Sequence, residues 1–443
     1  MIRRLNSVAW AVLTVIMVSP TVASAQVTAQ FPLQFDFLTP GARSMALGSA
    51  FIGLADDATA AVANPAGLMT LTRPEISIEG RHRRVENPFL LGGRLSGNIT
   101  NVGEDTVQGP IYDVSEDSSF NLSYLSVVYP KPRWAVAFFT HQPTVISSEF
   151  LYRGVFESFT AFGVTSTARE NPLTGSRDIS IRQYGAAFSA RANSKVTFGV
   201  GLSAYSFKMA AAFARLGLPS TFGAPDPNTI EAAATQTSDE MGIGFNAGVQ
   251  VQPSSTVKFG AVYRKAPSFD YVQESTARGR TPVTVNGSFK VPDSYGAGLS
   301  WRPSDSTLLS LDYVHTMHSQ VKEDFIDLLT TDPGVRSRLA IDDTNEVHAG
   351  FEYVLTGLSW MPALRAGFWL DPDHSTRYDS SLPGPAVNAA DDLRLRNMLR
   401  GGDDLFHYTA GVGIPVSSKF ELSGAVDFSE RSTLGSISAI VRF

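Results

Sequence analysis

The feature that most constrains the fold of this chain is a sustained alternation of apolar and polar side chains. Between Ile243 and Gln252 every odd-numbered residue is apolar, and every even-numbered residue is glycine, asparagine or glutamine. The segments that begin at Val196, Tyr295 and Phe406 repeat this pattern. Because successive side chains of a β-strand point to opposite faces, each segment predicts a strand with one apolar and one polar face. A soluble β-sandwich and a membrane-spanning β-barrel both contain such strands.

The connections between the predicted strands separate these two architectures. Tight joins alternate with long segments, as in outer-membrane barrels, which have short turns at the periplasmic end and long loops outside. The sequence therefore predicts an all-β fold, a transmembrane antiparallel β-barrel of about 14 strands. The tight joins are Lys131-Pro132, Asn193-Ser194, Pro253-Ser254-Ser255, Pro303-Ser304-Asp305 and Ser417-Ser418. The predicted strands are 74–83, 120–130, 133–142, 179–191, 195–208, 241–252, 256–266, 287–302, 306–316, 345–355, 363–371, 405–416, 419–429 and 433–443.

The N-terminus predicts export from the cytoplasm. Arg3 and Arg4 precede an apolar run at 8–18, and small residues lead up to Ala25. This order of basic, apolar and small-residue regions is that of a cleavable signal peptide. The apolar run is shorter than the roughly 20 residues that a spanning helix needs, which argues against a retained membrane anchor. The predicted signal peptide is 1–25, and the mature chain begins at Gln26.

Composition and motifs argue against several classes of function. The chain has no cysteine, a net charge of -6 and no basic stripe with interleaved aromatic residues, so no nucleic-acid partner is predicted. No nucleophile elbow, zinc-protease or phosphate-loop motif is present, so no enzyme activity, catalytic residue or cofactor is predicted. His315 and His318 lie three apart on a predicted strand and would face opposite sides, so no metal site is predicted. Three acidic pairs fit calcium loops or solvated turns: Asp342-Asp343, Asp391-Asp392 and Asp403-Asp404.

A segment at 41–71, before the first predicted strand, does not alternate and consists mainly of small residues. Asp56 or Asp57 can cap a short helix at 58–63, and Pro65 disfavours helical geometry at Asn64. A barrel of about fourteen strands encloses more space than its own side chains fill. The segment is therefore predicted to occupy the lumen, although a periplasmic tail is the alternative.

Three motifs in this segment carry a resemblance to a known family. They are Gly41-Ala42-Arg43, Ala55-Asp56-Asp57-Ala58 and Asn64-Pro65-Ala66-Gly67-Leu68. Together they resemble the hatch of the FadL/TodX family of outer-membrane transporters for hydrophobic compounds. Two later segments, at 244–248 and 290–303, also resemble the family, so the similarity covers most of the mature chain. Related exported barrels that assist protein secretion carry a similar opening, so the substrate is less firmly implied than the superfamily.

The resemblance implies three regions and a function. The regions are a signal peptide at 1–25, a hatch or plug at 26–72 and an outer-membrane β-barrel at 73–443. The implied function is passive uptake of hydrophobic compounds, such as long-chain fatty acids or aromatic hydrocarbons, with capture at outer loops and lateral release through the wall. The alternative is a secretion-linked or structural barrel without small-molecule transport. A general aqueous pore is disfavoured by the long plug. The implied hatch and gating residues are Asp56, Asp57, Asn64, Pro65 and Ala66.

Two further sites follow from matching the family to this sequence. In the family the third strand is interrupted, and here that strand meets Pro143, which lacks the N–H needed for pairing. Pro143 is therefore the candidate for a lateral gap, or it merely ends the strand. The loop after the fifth strand has apolar residues at helical spacing, which predicts either a capture face or a packed loop. The capture candidates are Met209, Phe213, Leu216, Leu218 and Phe222, with Tyr152, Phe156 and Phe159 of the second outer loop as an alternative set.

The expected surroundings follow from this reading. We expect location in the bacterial outer membrane, contact with its lipid and lipopolysaccharide, and a hydrophobic small-molecule substrate. The last strand ends at Phe443, as strands recognised by the outer-membrane assembly machinery typically do. A monomer is expected. Four basic residues are plausible lumen cations, although the sequence does not choose among them as a partner for a substrate carboxylate: Arg182, Lys258, Arg264 and Arg302.

Overall fold

A computed structural model describes residues 39–321 and 332–443 of the chain, so the predicted signal peptide and start of the mature chain lie outside the described residues. The strands are β1 (Glu75–Arg94), β2 (Gly109–Pro130), β3 (Trp134–Tyr152), β4 (Val155–Ala161), β5 (Val164–Arg169), β6 (Leu173–Arg191), β7 (Val196–Gly217), β8 (Asp226–Val251), β9 (Val257–Lys265), β10 (Ser268–Ala277), β11 (Val283–Lys290), β12 (Ser294–Ser304), β13 (Thr307–Thr316), β14 (Leu339–Ala340), β15 (Thr344–Val354), β16 (Ala363–Asp371), β17 (Arg377–Tyr378), β18 (Leu405–Ser417), β19 (Phe420–Phe428) and β20 (Ser432–Arg442). The helices are α1 (Ala42–Ala46), α2 (Ala60–Ala63), α3 (Pro333–Arg336) and α4 (Ala389–Met398), with 3-10 turns at Pro65–Thr70 and His318–Val321.

The wall of the fold is an antiparallel sheet that closes on itself. β1 pairs with β2 along one edge and with β20 along the other, which completes the ring. β9 and β10 share one position in the wall because both pair with β8, and β11 and β12 share the next position. The ring therefore has 14 strands, as predicted. Closure leaves no free strand edge at the ends of the sheet, which a wall surrounded by lipid requires.

Each of the fourteen predicted ranges contains a wall strand, but 287–302 is divided between β11 and β12, and β10 was not predicted. Several strands also extend well beyond their predicted upper ends. β8 begins at Asp226, fifteen residues before the predicted start at 241. The apolar and polar alternation exists only where one face contacts lipid. Above that belt both faces of a strand contact water or other loops, so the pairing continues while the hydropathy pattern stops.

The outer face of the wall is apolar where the alternation is strongest. The side chains of Ile243 and Phe245 are 69% and 44% exposed, whereas Asn246 and Gln250 point inward and are buried. Six aromatic residues near strand ends fit the girdles found at the two membrane interfaces of such barrels. Five of them are exposed: Tyr129, Trp134, Tyr263, Trp301 and Tyr353. Trp369 is only 3% exposed and stacks between two lumen histidines, so its assignment to the outer face was wrong. Within the described ranges, no helix is long and apolar enough to cross a membrane.

The first described segment contains two short helices and a 3-10 turn. α2 ends at Ala63, as Pro65 predicted, but it begins at Ala60 rather than at residue 58. The predicted acidic cap is only partly correct. Asp57 accepts a hydrogen bond from the Thr59 backbone N–H at 2.8 Å, directly before the helix, whereas Asp56 forms ion pairs instead.

The helical spacing of apolar residues in two predicted outer loops did not correspond to helices, because both segments form strands. Met209 and Phe213 belong to β7, which continues to Gly217 and pairs with both β6 and β8. Phe156 and Phe159 belong to the β4–β5 hairpin rather than to a helix. A spacing of four residues places side chains on one face of a helix, but an even spacing also places them on one face of a strand. Spacing alone therefore could not distinguish the two structures.

Candidate functional site

The N-terminal segment, defined here as residues 41–71, lies against the inward-facing side chains of the wall. Asn64 is fully buried and donates from its side chain to the backbone carbonyls of Ile52 and Val249 at 3.1 and 3.2 Å. Its side-chain oxygen accepts from the Ala66 N–H at 3.2 Å. Asn64 therefore ties two turns of the segment to each other and to β8. Pro65 starts the 3-10 turn that follows, where its missing N–H costs nothing.

Wall side chains form hydrogen bonds with several backbone groups of the segment. Asp312 accepts from the Ile52 N–H at 2.6 Å, and Tyr124 donates to the Ala58 carbonyl at 2.8 Å. Gln250 donates to two carbonyls of the segment at 3.1 Å, which confirms its predicted inward direction. Since buried backbone groups are costly without partners, these contacts favour one position of the segment. Ser189 and Thr197 both donate to the Ala66 carbonyl, at 3.2 and 3.0 Å.

Asp56 belongs to a chain of alternating charges that joins the segment to the wall. Arg43 lies 2.5 Å from Asp56 and 2.8 Å from Glu352, and Arg302 contacts the other oxygen of Asp56 at 3.0 Å. Glu352 continues the chain to Arg365 at 2.7 Å. Each carboxylate lies between two guanidinium groups, which is the condition under which buried charges are tolerated.

Glycines in the wall allow the segment to approach the strand backbone closely. A Cβ atom on Gly367 of β16 would lie 2.2 Å from the Gly48 nitrogen, and one on Gly298 of β12 would lie 2.6 Å from the Gly53 nitrogen. Both distances are too short for any side chain. The inward faces of these two strands therefore carry no side chain where they meet the N-terminal segment, and the backbone of the segment fills that space.

The four predicted lumen cations have different environments. Arg264 donates to the Ala63 carbonyl at 2.6 Å, close to the last turn of α2, and Arg302 pairs with Asp56. Arg182 donates to the Gln142 side chain. Lys258 forms no ion pair or hydrogen bond within the described ranges and lines a cavity at the turn end of the barrel.

Above the N-terminal segment, the inward face of the wall becomes apolar. Phe207 of β7 lies between the rings of Phe269 and Phe289, with centroid distances of 4.7 and 5.4 Å and nearly parallel planes. All three rings are almost fully buried. Sequence analysis missed this phenylalanine stack. The available signal was an aromatic residue at the inward parity of β7, which nearer the turn end holds Gly199, Gly201 and Ser203.

The predicted capture residues do not form a common face. Met209 packs with the phenylalanine stack, whereas Phe213 contacts Phe150 at 6.3 Å between ring centroids. Phe222 stacks on Phe156 of the β4–β5 hairpin at 6.0 Å. The remaining two candidates are Leu216, which is buried, and Leu218, which is partly buried after the end of β7.

The wall has a seam between β2 and β3. Their ladder runs from Pro130–Ala135 to Tyr124–His141 and stops there, although both strands continue. Pro143 lies immediately above, at an irregularity in the pairing of β3 with β6 between His141 and Thr144. The Thr144 hydroxyl and both ring nitrogens of His141 are buried without a hydrogen-bond partner in the described structure. Unpaired buried polar groups are rare and cluster where a structure has a special role.

Side chains replace the missing ladder above Pro143. The Ser147 N–H donates to the Asp117 carboxylate at 3.2 Å, and the Glu149 N–H donates to the Ser115 hydroxyl at 3.3 Å. The carbonyl of Val145 accepts from an Arg83 guanidinium at 2.7 Å. A seam closed by side chains can part without breaking a backbone ladder.

An apolar cavity lies at the outer end of this seam. Its lining combines apolar residues of β1, β3, β6 and α4 with a few polar groups. The lining includes Phe89, Leu90, Phe150, Tyr152, Leu173 and Met398, together with Asn87, Ser115, Glu149 and Arg177. Phe213 lies next to this cavity through its contact with Phe150, so one predicted capture residue adjoins it.

A fully buried ion pair joins the end of β1 to the loop at 95–108, which we call the roof of the upper half of the lumen. Both Arg94 and Asp105 have 0% exposed side chains, and their charged groups form two contacts at 2.8 and 2.5 Å. Hydrogen bonds from Arg94 and Thr100 hold the pKa of the Asp105 carboxyl below its usual value, despite the opposing effect of burial. Arg94 and Arg169 also flank the ring of Phe156, at 6.0 and 4.8 Å.

Comparisons with known proteins agree with this architecture. No family model and no curated protein matches the chain. Among solved structures, the CymD monoaromatic hydrocarbon channel is 15% identical, with a TM-score of 0.51 over 93% of this chain and 99% of that chain. A Pseudomonas aeruginosa FadL homologue is 14% identical, with a TM-score of 0.57 over 92% of this chain and 100% of that chain. The Ralstonia pickettii toluene transporter TbuX is 14% identical, with a TM-score of 0.57 over 92% and 99%.

These comparisons define the class of protein. The chain has the fold of the FadL/TodX-type outer-membrane barrels, which confirms the resemblance stated from the sequence at the level of the fold. With its closed ladder and apolar outer face, it is a β-barrel of the bacterial outer membrane. The identities of 14–15% leave substrate and mechanism to be argued from the residues of this chain.

Proposed function

We propose that this protein takes up hydrophobic compounds, such as long-chain fatty acids or aromatic hydrocarbons, across the outer membrane by a passive route. The observation that carries the proposal is the seam between β2 and β3, with an apolar cavity at its outer end and Pro143 at its lower end. This cavity is small, about 50 Å³, and lies beside the part of the wall where backbone pairing is missing. The protein acts in transport and not as an enzyme.

In this proposal residues 26–72, which include the N-terminal segment, form a hatch, and residues 73–443 form the barrel. Asn64, Pro65 and Ala66 hold the final turn of the N-terminal segment, and Asp56 and Asp57 hold its middle. Its hydrogen bonds and close backbone contacts with the wall fill part of the lumen. This supports selective uptake over the general aqueous pore.

Lateral release through the seam is favoured by the free energy of the cargo. Transfer of apolar groups to water costs about 0.8 kcal/mol per methylene, so a long acyl chain faces a cost on the order of 10 kcal/mol. Release into the bilayer avoids this cost. Backbone groups at a lateral opening need partners in protein or water, and Ser115, Asp117 and Arg83 already supply them for β3.

Uptake by cells tests the function directly. Cells that carry the protein are expected to take up toluene or a long-chain fatty acid faster than cells that lack it, with little gain for a disaccharide. Equal rates with and without the protein would contradict hydrophobic uptake and favour the secretion-linked or structural barrel. A large gain for the disaccharide would instead indicate an aqueous pore.

Cross-linking the seam tests the lateral route. The chain has no cysteine, so Ser119→Cys with Val145→Cys can be joined across the seam by a short bifunctional thiol reagent. Joining them is expected to reduce hydrocarbon uptake, and cleaving the linker should restore it. The matched control is Leu311→Cys with Ala349→Cys, which join β13 and β15 within a continuous ladder. Normal uptake after complete joining of the seam would exclude release at this place.

A further inference from the structure

A second cavity lies at the turn end of the barrel, on the opposite side of the N-terminal segment from the apolar cavity. This vestibule has a volume of about 530 Å³ and lies between the turns that join β2 to β3, β6 to β7 and β8 to β9. Residues 69–72 of the chain form part of its lining. Short turns mark the periplasmic end of such barrels, so the vestibule opens towards the periplasm.

The vestibule is strongly cationic although the whole chain has a net charge of -6. Lys131, Arg191, Lys195 and Lys258 line it, and its lining contains no carboxylate. None of the four forms an ion pair with another residue in the described parts of the chain. The Lys131 ammonium lies 4.7 Å from the ring centroid of the exposed Tyr129, so its charge is directed at that ring. A cleft lined by charges of one sign concentrates the electric field and attracts the opposite charge.

The nearest acidic group does not neutralise Lys258. Asp56 acts on this lysine electrostatically, but its two oxygens are held by Arg43 and Arg302 at 2.5 and 3.0 Å. Arg191 donates to the Met69 carbonyl at 3.0 Å, which fixes its position at the edge of the cavity. The cations are therefore arranged around a space that holds no protein anion.

The rest of the lining is partly apolar. Pro130 and Pro132 contribute carbon surface beside the basic residues, whereas Met69 and Leu71 also line the cavity but are almost fully buried. The Thr197 hydroxyl donates to the Ala66 carbonyl, so this proton is not available to an anion. A ligand that fits this lining has a charged head and an apolar body.

We propose that the vestibule binds an anionic amphiphile, with a carboxylate or phosphate head group held by Arg191, Lys195 and Lys258 and an apolar portion against Pro130 and Pro132. The inference rests on the proposed function in one respect, since hydrophobic uptake would bring such molecules to this protein. A carboxylic acid released into the bilayer and a phospholipid of the inner leaflet share this head-group chemistry.

The charge of the vestibule can be measured with a single reporter thiol. Ser194→Cys places the only cysteine of the chain in the lining. The quantity compared is the labelling rate with an anionic methanethiosulfonate divided by the rate with a cationic one. In purified, folded protein this ratio is expected to be roughly ten times higher at Ser194→Cys than at Ser306→Cys, which lies in another turn. Lys195→Gln with Lys258→Gln should remove most of that preference, and Lys419→Gln, outside the vestibule, should not.

Protection of the reporter thiol tests the ligand. Octanoate or dihexanoyl phosphatidic acid is expected to slow labelling at least threefold, whereas octan-1-ol and inorganic phosphate at the same concentration should not. The more protective of the two amphiphiles identifies the source. Equal protection by inorganic phosphate would reduce the vestibule to a simple anion site, and equal protection by octan-1-ol would make the cations irrelevant. Absence of protection by both amphiphiles would also overturn the proposal.

The two proposals fail in different ways. Labelling is measured without transport, and the Lys195→Gln, Lys258→Gln variant is expected to take up toluene at the parental rate because that cargo has no charged head. If the parent takes up no hydrocarbon while octanoate still protects the thiol, the proposed function fails and the vestibule remains.

Discussion

The lower and upper halves of the lumen are filled in opposite ways by the same wall. Below, the N-terminal segment contacts polar side chains and glycines, and Asn64 alone makes three hydrogen bonds. Above, the ring of Phe207 stacks with the rings of Phe269 and Phe289. Hydrogen bonds fix distance and direction, whereas apolar packing constrains mainly shape and volume. The lower half is therefore suited to staying shut, and the upper half to accepting an apolar guest.

Among the substitutions that test this comparison, Phe207→Ala is expected to change stability the most. Removing a buried ring should lower the free energy of unfolding by about 3–5 kcal/mol, because the lost contacts leave a cavity between Phe269 and Phe289. Urea unfolding in lipid vesicles measures this change. Phe207→Leu, which keeps most of the volume, should lose much less. If both variants are as stable as the parent, the upper lumen is not a packed apolar core.

Gly367→Val should disturb the lower half next. The new side chain would collide with the backbone of Gly48. Overpacking of this kind typically lowers the free energy of unfolding by about 1–3 kcal/mol. We expect the N-terminal segment to become sensitive to protease and small sugars to enter faster. Gly424→Ala is the matched control, since nothing lies within 4 Å of its added Cβ. An intact, protected segment in Gly367→Val would mean that the close contact is not required.

Asn64→Leu is expected to have a smaller effect in the same half. The substitution leaves the Ile52 carbonyl and the Ala66 N–H without a buried partner, at a cost of about 2 kcal/mol. The barrel should fold while passage through it changes. Heat-modified electrophoretic mobility reports folding, and toluene uptake reports passage. Pro65→Gly should act in the same direction, and unchanged uptake in both variants would reduce this turn to packing.

Acidification should produce the smallest effect, confined to the roof of the upper half. The lowered pKa of Asp105 means that its contribution to stability is complete above its unfolded pKa of about 3.9 and is lost only as pH falls through the lower folded value. Hydrogen exchange at the Thr100 amide, which donates to Asp105, should therefore be unchanged between pH 7 and pH 5 after correction for intrinsic rates. Loosening at pH 5 would contradict the depressed pKa.

Sequence reasoning succeeded where a residue's environment repeats along the chain. The fourteen positions of the wall were predicted because lipid outside and polar surroundings inside impose the same alternation along the ring. The division of two positions into β9 with β10 and β11 with β12 was not predicted. The end of α2 before Asn64 was also predicted, because the effect of Pro65 is local. The lengths of β7 and β8 were not predicted, since their upper parts no longer contact lipid.

The placement of partners from distant parts of the chain required the tertiary structure. Trp369 reads as an interfacial aromatic residue, but its position on β16 turns it towards His348 and His407. Met209 and Phe213 read as a helical face, but pairing with β6 and β8 extends them. Local propensity is weak compared with the hydrogen bonds of a ladder on both sides.

By itself, the sequence determined the class of fold, the order of the wall strands and the motifs of the N-terminal segment, because each depends on short-range pattern and backbone chemistry. Only the tertiary structure decided which groups meet in the lumen, where the β2–β3 ladder stops, and that Lys131, Arg191, Lys195 and Lys258 surround one cavity. These residues lie in separate turns and strands. Closure of the barrel brings them together, and no local pattern records a contact made by closure.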